Sequence, residues 1–369
     1  MRFGSVFVVS IFIFCLAGES VGQTPRTDKE DIIRVETQLV DVPVAITGPD
    51  GKLLYDLKKS NFAVFEDGKV QSIESFSTAA APFEVALVLD TSGSTRSDLQ
   101  LIKRAALDFV MSLRPGDRVS VSAFNAVQRD GQTAAFSEIL SPLTADREML
   151  RAAVDRANVS FGTPYYDSLV DVAERVFREA AKDEFRGRRA LVALTDGVDS
   201  TSLAEFDEVR EKLARIGVVC YFIKVDTREF FESSLLGDCR TAMRFSVAQI
   251  RRYQREIDKN ARTGKTTDFC QLGDFERLAV SKRLYEIADE EMTDLAKMSG
   301  GRVFPVSDLT EARRAFRDVA DEIGTQFTLG YSPANDKRDG KYRKIKVELK
   351  GVPPGSKVRY REGYTAPAN

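Results

Sequence analysis

A chain of 369 residues is long enough for a full α/β domain and a smaller companion, and its 43% hydrophobic content is ordinary for a globular protein. Its 54 basic and 56 acidic side chains leave a formal net charge of −2, which gives no electrostatic case for nucleic acid. Histidine is absent, so a serine or cysteine hydrolase with a histidine base is excluded by composition.

Arg2 precedes an apolar run from Val6 to Ala17, followed by Ser20, Val21 and Gly22. The run is too short to span a bilayer comfortably and has the layout of a secretory signal peptide over residues 1–22, cleaved near Gly22, with an uncleaved anchor as the alternative. Cys15 precedes Leu16-Ala17-Gly18 instead of following them, so a lipoprotein signal does not fit. The expected location is secreted, or the periplasm or cell envelope, with no membrane span in the mature chain.

From Arg34 to Phe76, short runs alternate apolar and polar residues, and Asp50-Gly51 and Asp67-Gly68 are hairpin turn signals. Residues 31–80 therefore read as an N-terminal antiparallel β segment. A second β segment, 325–364, carries strand candidates at Phe327–Tyr331, Tyr342–Leu349 and Val358–Tyr364, with turns at Asp339-Gly340 and Pro353-Pro354-Gly355. Isolated hairpins are marginal in water, so the two segments are expected to pair as one small β-sandwich with the rest of the chain inserted between them.

Between them, residues 83–324 alternate apolar strands with amphipathic helices: Val85–Leu89, Val119–Phe124, Ala190–Thr195, Val218–Val225 and Gly301–Phe304 are the strands. The pattern predicts a doubly wound, mostly parallel α/β sheet. Such sheets bind ligands beyond the strand carboxyl ends, where strand order reverses. Asp90-Thr91-Ser92-Gly93-Ser94 directly follows Val85–Leu89, and Thr195-Asp196-Gly197 closes Ala190–Leu194. Gly162-Thr163-Pro164 opens the helix that bears Tyr166, Leu169, Val170, Ala173 and Phe177.

Asp90, Ser92, Ser94, Thr163 and Asp196 would bring only oxygen ligands, which suits a hard divalent cation: Mg²⁺ first, Mn²⁺ or Ca²⁺ as alternatives. Each also has a plainer reading. Ser92, Ser94 and Thr95 can cap a helix beginning near Leu99, Thr163 can cap the helix after it, and Asp196 can be a turn residue before Gly197. Asp167 and Asp199 are candidates for a second shell around the ion, although a solvated loop acid is the simpler role for Asp199. Phe161, Tyr165 and Tyr166 are candidates for an aromatic rim, with core packing an equal alternative for Tyr166.

The stretch 227–282 is rich in charge and reads as a largely helical insertion, a solvated decoration before a binding arm, although Phe230, Phe231 and Leu235-Leu236 could form a docking patch. Cys15 leaves with the signal and Cys220 lies in an apolar strand, so a Cys239–Cys270 disulfide is expected. Gly264-Lys265-Thr266 mimics the end of a phosphate-binding loop, but Lys259 stands where the opening glycine belongs, and no nucleotide is expected. Asp90-Thr91-Ser92-Gly93 interrupts the aspartic-protease loop with a serine, and no second such loop appears.

The order D-x-S-x-S at Asp90, Ser92 and Ser94, then Thr163, then Asp196, resembles the metal-ion-dependent adhesion site of the von Willebrand factor type A domain. The flanking β segments resemble those of secreted "VWFA-related" bacterial proteins common in acidobacteria. The resemblance implies that 83–324 is such a domain, that Ser92, Ser94 and Thr163 contact Mg²⁺ directly, and that Asp90 and Asp196 act through water. It implies a secreted, adhesion-type module, not an enzyme, that binds a protein or peptide partner whose Asp or Glu completes the coordination. The alternatives are a metal-dependent hydrolase with Asp167 or Asp199 as base, and a structural envelope component with a vestigial metal site. Relatives couple ligand binding to a helix shift, for which the helix bearing Leu309, Ala312, Phe316, Val319 and Ile323 is the candidate here.

Overall fold

The computed structural model describes residues 39–368 apart from 79, 130–131 and 258–267; the expected signal peptide, residues 31–38 of the first β segment and Gly264-Lys265-Thr266 lie outside the described residues. Along the chain come β1 (Val40–Thr47), β2 (Phe62–Glu66), β3 (Lys69–Gln71), β4 (Ser75–Ser77), β5 (Glu84–Leu89), α1 (Leu99–Ser112), β6 (Arg118–Arg129) and β7 (Gln132–Thr144). Next are α2 (Arg147–Arg156), α3 (Tyr165–Asp171), β8 (Arg189–Thr195), α4 (Phe206–Ile216), β9 (Val219–Val225), α5 (Arg228–Leu235), α6 (Val247–Ile257) and α7 (Asp274–Ser299). The chain closes with β10 (Arg302–Val306), α8 (Ala312–Thr325), β11 (Phe327–Tyr331), β12 (Tyr342–Leu349), β13 (Lys357–Tyr360) and β14 (Gly363–Thr365).

The central sheet has six strands in the order β10-β9-β8-β5-β6-β7, parallel except for β7. β5 and β8 are buried on both faces, which is why each reads as a continuous apolar run. Val85, Leu87 and Leu89 pack with Ile102, Phe109 and Phe316 of α1 and α8, while Ala86 and Val88 pack with Tyr165, Leu169 and Met292 on the opposite face. The chain runs from β5 outward through β6 to β7, then returns to β8 on the other side of β5. The order therefore reverses between β5 and β8, and the crevice opens at their carboxyl ends. Sequence periodicity missed β7, an antiparallel edge strand whose register with β6 shifts near Val121.

The two terminal segments interleave. β13-β1-β11-β4 form one antiparallel sheet and β14-β12-β2-β3 another, around a core that includes Val42, Val44, Phe62, Val64, Phe327, Leu329 and Val347. Glu66 of β2 is buried in this core and accepts the hydroxyls of Tyr331 (2.7 Å) and Tyr364 (2.9 Å), so its carboxylate ties the early strands to the late ones. Arg188, 2% exposed, lies just before β8 and donates Nε to Pro82 O (3.0 Å) and Nη1 to Gln326 O (2.9 Å). Pro82 and Gln326 are where the chain enters and leaves the α/β unit, so one guanidinium holds both crossings. Burial lowers its pKa to about 10, and it remains charged at neutral pH.

The insertion after β9 is not a solvated decoration. Val280, Leu284, Tyr285 and Ala288 of α7 pack against Val198, beside Asp196, with Phe231, Phe245, Ile250 and Tyr253 closing over them. Phe231 is half-buried in this cluster and Leu235 is fully buried, which leaves Phe230 and Leu236 exposed from the expected docking patch. Cys239 and Cys270 form the disulfide, with Cα atoms 5.2 Å apart. Cys220 is a free, buried thiol whose backbone N–H donates to Ser299 Oγ, and burial pushes its pKa up to about 12. Alkylation at pH 8, followed by mass spectrometry, should therefore label Cys220 only after denaturant is added; rapid labelling of the native protein would show that β9 opens locally. No helix among the described residues is long and apolar enough to cross a membrane.

Candidate functional site

Asp90 continues the β5 ladder, donating its N–H to Leu194 O (2.9 Å). Its carboxylate turns back into the crevice: Oδ1 accepts the Ser92 N–H (3.0 Å) and Oδ2 accepts the Thr195 hydroxyl (2.7 Å). Ser92 Oγ and Ser94 Oγ lie 3.1 Å apart, and the Thr95 hydroxyl ties the turn to the carbonyls of Ser92 (2.9 Å) and Asp90 (3.2 Å). A single 3₁₀ stretch, Gly93–Asp98, intervenes before α1, and neither Ser92 at its start nor Asp98 before α1 makes a side-chain cap. Helix capping therefore does not account for the two serines, whose hydroxyls meet each other.

Asp196 follows β8 on the neighbouring strand, and Gly197 turns the chain there at φ 77°. That conformation calls for glycine, whereas the nearest atom a Cβ would meet, Met292 Cε at 2.8 Å, ends a flexible side chain that could shift. Asp196 Oδ1 accepts the Val198 N–H (2.9 Å), and Oδ2 accepts the hydroxyl of Thr227 from the foot of the insertion. Burial, and after it the charge of Asp90, pushes Asp196 up to about 7; burial also raises Asp90. The groups acting most strongly on these carboxylates are hydroxyls, backbone amides and other carboxylates, and no salt bridge reaches either one among the described residues.

The loop carrying Thr163 is strapped to both of these segments. Ser160 donates its N–H to Thr91 O (2.7 Å), while Thr163 N–H donates to Ser200 Oγ (2.9 Å) and Ser200 N–H returns to Thr163 O (3.0 Å). Gly162 permits the approach, since a Cβ there would lie 2.6 Å from Thr201 Cγ2. Pro164, not Thr163, occupies the N-cap of α3, and the first amides of that helix are taken from a distance in sequence, Tyr166 N–H by Asp199 Oδ2 (3.2 Å) and Asp167 N–H by Ser202 Oγ (3.0 Å). The three segments bearing Asp90, Ser92, Ser94, Thr163 and Asp196 thus meet at the strand-order reversal.

The surrounding residues divide. Asp199 is fully buried, unlike a solvated loop acid: it accepts the Tyr166 N–H (3.2 Å), the Ser202 N–H (3.2 Å) and the Ser202 hydroxyl. Asp167 is committed to the loop after Ser202: Oδ1 accepts the Leu203 (3.1 Å) and Ala204 (2.9 Å) amides and Oδ2 the Leu203 amide (3.2 Å). Phe161 is 72% exposed beneath the guanidinium of Arg96 (5.3 Å), whereas Tyr165 is buried and forms no rim. Tyr165 and Tyr166 both pack in the core cluster with Ala86, Val88 and Met292, because the first turn of α3 is enclosed on more than one side.

Three neighbours escaped sequence reasoning: Thr227, Arg252 and Glu291. Arg252 reaches Asp199 and stacks on Tyr166, and Glu291 accepts the Tyr166 hydroxyl, with burial pushing that glutamate up to about 7. Among the described residues no group of three or more His, Cys, Asp or Glu side chains is arranged to hold a metal ion. The donors gathered here are instead two carboxylates and three hydroxyl side chains, a hard, oxygen-only set that fits Mg²⁺ better than a soft transition metal.

Residues 85–198 match the family model of the von Willebrand factor type A domain. No curated protein matches the chain in sequence. Among solved structures, a von Willebrand factor type A protein from Catenulispora acidiphila aligns over 91% of this chain and 75% of its own at 13% identity, with a TM-score of 0.42. The three N-terminal domains of the type V pili tip protein Mfa5 from Porphyromonas gingivalis align over 44% of this chain and 27% of theirs (16% identity, TM-score 0.27). The SpRpn10 VWA domain aligns over 39% of this chain and 75% of its own (15% identity, TM-score 0.29).

Proposed function

Because residues 85–198 form a von Willebrand factor type A domain, a type that commonly serves protein interaction, we propose that this chain is a secreted, non-enzymatic binding module. Asp90, Ser92, Ser94, Thr163 and Asp196 hold Mg²⁺, and the partner is a protein or peptide that presents an Asp or Glu. The observation that carries this reading is a pair of neighbouring, buried carboxylates that no basic side chain among the described residues pairs with, beside two serine hydroxyls not used for capping. Burying like charges together is costly unless a cation or proton joins them. A cation bound mainly by neutral hydroxyls supplies Lewis acidity that a further carboxylate can satisfy.

The chain's own groups are suited to that task. An ionised carboxylate has about four acceptor sites. Asp90 uses one contact per oxygen on Ser92 and Thr195, and Asp196 one per oxygen on Val198 and Thr227, so each is oriented while keeping acceptor capacity toward the crevice. The exposed Phe161 ring under Arg96 offers an apolar and cationic flank for the residues beside the partner's acid. The disulfide agrees with an oxidising compartment. Hydrolysis needs a base, and the committed hydrogen bonds of Asp167 and Asp199 favour binding over turnover.

A peptide panel containing Asp or Glu, set against Asn and Gln counterparts, tests the reading. Binding to the acidic members should require Mg²⁺, vanish with a chelator, and be lost in Ser92→Ala. Metal-independent binding, or turnover of ester, phosphoester or peptide substrates that disappears in Asp196→Ala, would replace it.

A further inference from the structure

Helix α6 lies inside the 31-residue loop that the Cys239–Cys270 bridge closes, and it reaches back to the metal face. Arg252 on this helix is its point of contact. The guanidinium donates Nη1 to the Asp199 carbonyl (3.2 Å), places Nη2 3.5 Å from Asp199 Oδ1, and lies 4.3 Å from the centre of the Tyr166 ring. Asp199 in turn accepts the Tyr166 N–H, and its neighbour Ser200 exchanges two hydrogen bonds with the backbone of Thr163. The insertion also touches the opposite side of the site: the Thr227 hydroxyl donates to Asp196 and lies 2.8 Å from Tyr285 Oη on α7.

We propose that Arg252 is a positioning residue for the cation site, and that the disulfide-closed insertion acts as a clamp that sets metal affinity by fixing the Thr163 loop. This rests on the metal-binding reading above. Its physical basis is that groups behind the ligands orient them, and that removing such a group commonly costs about ten- to a hundredfold in metal affinity. Elsewhere α6 packs Ile250 and Tyr253 over the cluster beside Val198, and at its surface Arg251 and Arg255 pair with Glu205 (3.6 and 2.7 Å) and Glu256 with Arg283 (3.0 Å). Such exposed pairs fix a helix weakly, so the apolar packing of Ile250 and Tyr253, the covalent bridge and Arg252 hold it, and of these Arg252 alone reaches Asp199.

Calorimetric titration with Mg²⁺ alone, paired with amide hydrogen exchange of the metal-free protein, separates the possibilities. Arg252→Ala, and Cys239→Ser with Cys270→Ser, should each weaken Mg²⁺ binding about tenfold or more. Each should also speed exchange over residues 160–166 while β5 and β8 stay protected. Unchanged affinity in both variants, with binding abolished in Ser92→Ala, would overturn the clamp and leave the metal site standing. Undiminished binding in Ser92→Ala would instead remove the metal site itself. Loss of protection throughout the α/β unit would show that Arg252 is only structural. If Arg252→Ala fails to fold, Arg252→Lys, which keeps the charge but not the two-pronged contact, decides: a folded protein with weakened Mg²⁺ binding supports the clamp, and an unfolded one overturns it.

Discussion

Mg²⁺ at a hundredfold excess over its dissociation constant is expected to raise the melting temperature of the purified protein by roughly 5–11 °C. A ligand that binds only the folded state stabilises it by about 2.7 kcal/mol at that excess, and each kcal/mol moves the midpoint of a domain this large by about 2–4 °C. The folded chain holds Asp90 and Asp196 together out of water, an arrangement the unfolded chain does not preserve. Ser92→Ala and Asp196→Ala should both erase the rise. They should differ without metal: Asp196→Ala removes one of two like charges and so relieves repulsion, whereas Ser92→Ala leaves that repulsion in place. Equal metal-induced shifts in the wild type and both variants, measured by scanning calorimetry, would contradict the assignment.

Arg188→Ala should cost about 3–5 kcal/mol, the largest loss expected from a single side chain outside the site. Two buried carbonyls, Pro82 O and Gln326 O, would lose their donor, and each orphaned acceptor costs about 1–3 kcal/mol. The space left behind adds to this. Urea denaturation followed by both far-ultraviolet circular dichroism and tyrosine fluorescence is the measurement. Since the guanidinium holds both chain crossings, the two probes should separate into distinct transitions in the variant as the sandwich and the α/β unit uncouple. A loss under about 1 kcal/mol would mean that other contacts across the junction suffice, such as Arg186 with Asp41 (3.4 Å) or the Thr328 hydroxyl on Gly187 O (3.0 Å).

What could be read from the residues, and what could not, follows from the range of the forces involved. β5 and β8 announce themselves because a strand buried on both faces needs apolar side chains throughout, and the oxygen-bearing loops stand directly after those runs. β7 escaped because an edge strand is buried on one side only and its alternation is broken where its register with β6 shifts. Tyr165 was a rim candidate because it flanks Thr163, and its neighbours in sequence give no sign that it packs with Ala86, Val88 and Met292 in the core. The roles of Asp199 and Arg252 were out of reach: neighbouring residues give no sign that a guanidinium 53 positions later lands on that carboxylate. The disulfide was accessible by counting cysteines, although its place around α6 was not.

The interleaving of β1 with β11 and β13, and of β2 with β12, bears on how the protein is made. As the chain emerges from the ribosome or a translocation channel, β2 can pair with β3, but β1, β4 and the other edge of β2 have no partners until more than two hundred further residues have followed, whereas β5 to α8 can condense on their own contacts. The α/β unit is then the natural first product, and closing it brings the ends at Pro82 and Gln326 together under Arg188. The late strands then dock onto early ones already held within reach. During that interval the early strands present unpaired edges, so this stretch is where a chaperone would be needed and where stalled synthesis would lead to aggregation.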